Sequence, residues 1–177
     1  RAVAGWLIAH GRRRLACLWE PAARWQEERA AGVAEACADA GLPPPLRLPL
    51  PPDERGDPAP ERFAARVAAL LPALAPCAAP AAPDALLALS DSHVYPLNAA
   101  LRRLGRQPGE DILVAGYDGY AAEAWERAYE AVGPAVSADK DNRAAGAALV
   151  RLVVDRAAGR LPAAPQRVVV APRLVPG

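Results

Sequence analysis

Two aspartates, each just past a short apolar run, are the residues of this chain best placed to do chemistry. Asp91 follows Ala85–Leu89 and Ser90; Asp118 follows 112–115 and Gly116-Tyr117. An ionised carboxylate accepts several hydrogen bonds, so paired hydroxyls or a ring N–H are its natural partners. In an open parallel sheet, ligands bind outside the carboxyl ends of the strands. Arg29 would add a planar fork of donors suited to hydroxyls, carboxylates or phosphates. Trp25 stands one helical turn before it, and its ring could stack on the apolar face of a sugar or on a planar base. Each has a plainer reading. Asp91 could cap the helix that follows it, and Asp118 the helix predicted over Tyr120–Glu130. Arg29 could pair with Glu28 or Glu35, and Trp25 could simply pack.

Signals for catalysis are weak. The chain has two histidines, His10 and His93. Ser90, His93 and Asp118 could compose a triad, but no G-x-S-x-G elbow surrounds the serine. No phosphate-binding G-x-x-x-x-G-K-(S/T) occurs, and no G-x-G-x-x-G follows a strand. We therefore expect no catalytic residue, no cofactor and no enzyme activity. Cys17, Cys37 and Cys77 lie far apart without C-x-x-C spacing, which argues against a metal site or a disulfide framework. They read as buried thiols in a reducing, cytoplasmic setting. No apolar run approaches a membrane span. The net charge of +1 lacks the basic footprint of a nucleic-acid surface. The one dense basic run, Arg12-Arg13-Arg14, reads as a solvated turn. Residues from Arg1 onward read as the middle of an amphipathic helix, so no export signal is expected and the chain reads as a fragment.

The elements that must hold these residues alternate between helix and strand. Helices are predicted over Ala2–Ala9, Ala23–Ala40, Pro60–Leu71, Ser92–Leu104, Ala121–Glu130 and Asp141–Ala158. Strands are predicted over Leu15–Trp19, Leu46–Leu50, Ala85–Leu89, Asp111–Ala115 and Gln166–Ala171, with a short extended piece at Ala135–Ala138. Gly41 and Gly105 read as helix stops. Pro43–Pro60 is proline-rich and charged, hence an extended edge and loop, and Pro72–Pro83 is an Ala/Pro connector. This rhythm argues an α/β fold with a mainly parallel sheet.

The segment PDALLALSDSHVYPLNAALRRLGRQPGEDILVAGYD, Pro83–Asp118, resembles the effector-binding core of the lactose/galactose repressor family. There an apolar strand is followed by (N/S)D, a helix ending LG, P-x-D-I and V-x-G-(Y/F)-D. GWLIAHGRRRLA (Gly5–Ala16), Arg29-Ala30-Ala31-Gly32, PAVSADKDNRAAG (Pro134–Gly146) and Ala171–Val175 are similar to further family elements, in order along the chain. The resemblance implies a Rossmann-like parallel sheet flanked by helices, of the type I periplasmic-binding-protein kind, forming mostly the C-terminal lobe of a two-lobed domain. Residues 1–138 would form that lobe, and 139–177 would pass back to the N-terminal lobe and return as a closing strand.

The resemblance further implies a regulator that holds a small sugar-like effector between its lobes. Arg29 and Asp118 match positions that commonly meet the ligand, and Ser90 stands where many relatives have Asn. Asp91 would serve as cap and cleft wall. Lys140 replaces a common Gln before Asp141, which would favour an anionic or polar effector. The loop Asp53–Asp57 carries no aromatic where relatives often place one; Tyr117, Tyr120 and Trp125 could substitute. A homodimer is implied, through faces that include the helix after Asp91, whose Val94, Leu97 and Leu101 suit either dimer burial or packing on the sheet. DNA would be met only by an N-terminal helix-turn-helix absent from this chain. The alternative is the sugar-binding component of a transport system, which shares the fold.

Overall fold

A computed structural model describes residues 1–20, 24–50, 65–67, 70–74, 82–128 and 130–177. In chain order it contains α1 (Ala2–Ala9), β1 (Leu15–Trp19), α2 (Arg24–Asp39), β2 (Leu46–Pro49), α3 (Leu71–Leu74), β3 (Ala85–Leu87), α4 (Asp91–Arg103), β4 (Leu113–Tyr117), β5 (Val136–Asp139), α5 (Asn142–Ala157) and β6 (Arg173–Pro176). Two 3-10 turns, Ala121–Glu123 and Trp125–Ala128, lie between β4 and β5. The strands form one sheet in the order β2-β1-β3-β4-β5-β6. All pairings are parallel except the last, where β6 runs antiparallel to β5.

Strand faces alternate, so each strand feeds two apolar layers. Ala16, Leu18, Leu86 and Val114 join Val94, Leu97 and Leu101 of α4 on one side. Cys17, Ala85, Leu87, Leu113 and Ala115 join α1 and α2 on the other. A sheet covered on both faces explains why β1, β3 and β4 read as unbroken apolar runs. Cys17 and Cys37 are buried free thiols, and burial pushes the Cys17 thiol up to about 12; Cys77 lies outside the described residues. The arginine turn is tied by Asp84, whose carboxylate accepts from the backbone N–H groups of Arg13 and Arg14 at 3.0 and 2.8 Å.

Several expectations require correction. Ser90, not Asp91, is the N-cap of α4, with extended φ −156°. Val94, Leu97 and Leu101 are 0% exposed, so they pack on the sheet rather than offering a dimer face. β4 begins at Leu113 because Asp111 turns back to accept from Arg106 Nε at 3.1 Å and Gln107 N at 2.9 Å. The helix expected over Ala121–Glu130 is replaced by the two 3-10 turns, because side chains take its backbone groups. Tyr95 Oη donates to Ala121 O at 2.7 Å, Arg127 Nη1 donates to Ala122 O at 2.8 Å, and Tyr120 N donates to Asp91. No strand forms over Gln166–Ala171; the closing strand is Arg173–Pro176 instead. α3 starts at the last residue of the helix expected over Pro60–Leu71 and runs into the expected Ala/Pro connector. The Asp53–Asp57 loop and most of the helix expected over Pro60–Leu71 lie outside the described residues.

Candidate functional site

Four strands deliver side chains to one cavity of about 550 Å³ at the sheet's carboxyl edge. Glu20 arrives just after β1, Leu89 and Ser90 after β3, Asp118 after β4 and Lys140 after β5, while Trp25 and Arg29 descend from α2 and His93 from α4. This is the location that parallel-sheet geometry favours for a ligand. A second cavity, about 520 Å³, lies against Tyr95, Asn98, Val132 and Pro176. It gathers one charged side chain, Arg127, where the first gathers four, so we assign the site to the first.

Asp118 is held by backbone strain. Its φ is 101°, a region disfavoured for a side-chain-bearing residue. Its N–H donates to Ala138 O at 2.9 Å, which ties the end of β4 to β5. The next residue, Gly119, has φ 76° and lies so close to Asp139 that an added Cβ would meet the Asp139 Cβ at 2.5 Å. The turn therefore needs glycine there. It aims the Asp118 carboxylate back along the cavity wall, where Oδ1 stands 2.7 Å from Lys140 Nζ. A strained turn at the end of a ligand-facing strand is where function commonly resides.

Arg29 does not pair with Glu28 or Glu35, which face Arg24 and Arg1 instead. Its Nη1 donates to Leu89 O at 2.8 Å. The guanidinium carbon sits 4.4 Å from the Trp25 ring centre and 4.0 Å from that of Tyr117. This stacking fixes the fork by cation–π attraction. Burial lowers the Arg29 pKa, opposed by nearby Tyr117 and Asp118. Burial likewise pushes the Tyr117 phenol up to about 12. Trp25 remains 45% exposed and presents a free ring surface to the cavity mouth.

Asp91 does not reach the cavity. It is 0% exposed, and its carboxylate accepts from Ser137 Oγ at 2.7 Å and from Tyr120 N at 2.9 Å. Burial raises its pKa against those hydrogen bonds. Oδ1 lies against Gly116, where an added Cβ would overlap it. The G-Y-D sequence thus has a physical logic: glycine admits the Asp91 brace, and Asp118 is left to face outward. Ser90 lines the cavity, and its Oγ lies 2.8 Å from Ser92 Oγ. With Ser90 facing Ser92 and Asp118 facing Lys140, the imagined Ser90–His93–Asp118 relay is not assembled.

Two lining residues escaped the sequence reading. Glu20 directly follows β1, so the rule that singled out Asp118 applies to it as well; its Oε1 accepts from Arg66 Nη2 at 2.7 Å. His93 was dismissed with the triad, but it sits three residues beyond the cap and so turns toward the cavity. Burial lowers its pKa to about 4, which keeps the ring neutral. Among the described residues no group of three or more His, Cys, Asp or Glu could hold a metal ion. No helix among them is long and apolar enough to cross a membrane.

The sequence matches the periplasmic binding protein-like domain family over residues 4–177. No curated protein sequence matches it. Among solved structures, a transcriptional regulator CelR–cellobiose complex shares 30% identity with a TM-score of 0.72, covering 98% of this chain and 48% of that one. A LacI-family regulatory protein from Chloroflexus aggregans shares 28% identity, with a TM-score of 0.73 and coverage of 98% and 57%. A LacI-family regulator from Arthrobacter sp. FB24 in complex with lactose shares 25%, with a TM-score of 0.70 and coverage of 98% and 60%. The chain thus spans roughly half the length of these regulators. It belongs to the periplasmic binding protein-like domain family.

Proposed function

We propose that this chain forms one wall of the effector site of a LacI-type transcriptional regulator. The observation that carries the reading is the meeting of Trp25, Arg29, Ser90, Asp118 and Lys140 at one cavity on the sheet's carboxyl edge. An aromatic ring beside donors and a carboxylate suits a small sugar-like metabolite: the ring covers an apolar face while the polar groups take hydroxyls. The solved relatives bound to cellobiose and lactose support the same class. The site binds and does not turn over.

In this reading residues 1–138 form the C-terminal lobe, and 139–177 cross to the facing lobe and return as β6. The crossing explains why α5 has no buried residue and exposes Leu149, Val150, Val153 and Val154: the facing lobe covers them. Effector binding shifts the balance between lobe arrangements and so repositions DNA-binding heads elsewhere in the full protein, which requires unequal affinity for the two arrangements. The regulator acts in the cytoplasm as a homodimer, and Trp125, 61% exposed on the turn beside α4, is a suitable interface anchor. A transport component shares the fold, but the relatives at 25–30% identity are regulators. Reading the coding sequence upstream decides between them: a helix-turn-helix supports the regulator, and an export signal refutes it.

A further inference from the structure

We propose that the effector carries an anionic group, a carboxylate or phosphate, received jointly by Arg29 and Lys140. This deepens the sensor reading and rests on it. The cavity lining carries two carboxylates, Glu20 and Asp118, and two cations, Arg29 and Lys140. Each carboxylate already faces its own cation: Glu20 meets Arg66 at 2.7 Å, and Asp118 meets Lys140 at 2.7 Å. Arg29 faces a carbonyl oxygen and two aromatic rings, and among the described residues no carboxylate lies within ion-pair distance of it. Arg29 is therefore the lining cation that faces no carboxylate among the described residues.

That guanidinium is half-buried, and a partly desolvated cation gains most from a partner that brings opposite charge. The guanidinium has five N–H donors, of which one is spent on Leu89 O. Lys140 has three, of which one points at Asp118, and its side chain is still 49% exposed. Donors thus outnumber acceptors, and Asp118 and Glu20, the wall's carboxylates, each keep lone pairs beyond the one that faces a cation. A neutral polyol asks for acceptors as often as donors. An acidic sugar fits better: its anionic group extends the alternating row of Arg29, Asp118 and Lys140, and its hydroxyls use the free carboxylate lone pairs beside Trp25.

The test titrates the full-length protein calorimetrically with matched pairs: glucuronate against glucose, galacturonate against galactose, and glucose 6-phosphate against glucose, with inorganic phosphate alone as a further arm. We expect at least one acidic member to bind ten or more times tighter than its neutral counterpart, with the preference shrinking at high salt. In Lys140→Gln, folded by circular dichroism, the acid-to-neutral ratio should fall toward one. Neutral sugars that bind, with no acidic member tighter than its neutral counterpart, overturn the anionic-effector proposal and leave the sensor reading intact. Phosphate alone binding as tightly as the sugar phosphate overturns it too, by reducing the site to a simple anion pocket. Failure of every sugar, neutral and acidic, counts against the sugar-sensor reading and the proposal together.

Discussion

In α4, Val94, Leu97 and Leu101 are sealed at 0% exposure; in α5, Leu149, Val150 and Val153 stand 62%, 64% and 61% exposed. Both helices space apolar residues three and four apart, the pattern that makes one face of a helix apolar. The difference lies in what the chain provides to cover that face. α4 packs on the sheet, whereas α5, which follows β5, has no buried residue. The same contrast divides the strands. β3, only three residues long, is held by parallel partners on both sides, while residues 166–171, rich in valine, form no ladder. Apolar periodicity reports that a surface must be buried; it does not report where the cover comes from.

The contrast yields graded expectations. Leu97→Ala should cost roughly 2–5 kcal/mol in urea denaturation, since it opens a cavity in a closed core. A loss below about 1 kcal/mol would mean that α4 is less tightly packed than described.

The pH dependence of stability offers the next largest effect. His93 has a folded pKa near 4 against an ordinary 6.5, because burial disfavours its charged form. Between those values the unfolded chain holds a proton that the folded chain does not, so stability is complete above about pH 6.5 and falls as pH drops toward 4. The loss amounts to at most about 3 kcal/mol. His93→Gln should flatten that part of the profile; an unaltered slope would place the titrating group elsewhere.

Asp91→Asn should cost roughly 1–3 kcal/mol, because an amide N–H would confront one of the two donors that the carboxylate now accepts. A variant as stable as the parent would refute its role as a brace. The smallest effect belongs to α5. Val153→Ala should change the stability of this chain by less than about 0.5 kcal/mol, yet that of the full-length protein by roughly 1.5 kcal/mol, the worth of two buried methylene-sized groups. Equal, small effects in both would remove the case for a covering lobe.

What the sequence made legible follows the same division. β1 and α1 were read to the residue, since continuous apolar runs and a terminal glycine are local signals. Gly105 marked the end of α4, and its φ of 76° shows why. Ser90 and Asp91 were exchanged in role because both residue types can cap a helix; the choice depended on Ser137, 46 residues away, which engages the aspartate. The helix expected over Ala121–Glu130 failed for a related reason: its residues favour helix, but Tyr95, Asp91 and Arg127 take its backbone groups. At the site, the strand-end rule led to Asp118 and should have led to Glu20. The ion pair between Lys140 and Asp118 was beyond local reading, because it depends on β4 and β5 lying side by side.

The central claim is that Arg29 and Asp118 form part of an effector site. Calorimetric titration of the full-length protein with the sugar or sugar acid that binds it best, repeated on Arg29→Ala and Asp118→Ala, tests this most directly. The account predicts that each substitution weakens binding by tenfold or more while circular dichroism shows the fold retained. Affinity unchanged in both folded variants would contradict it.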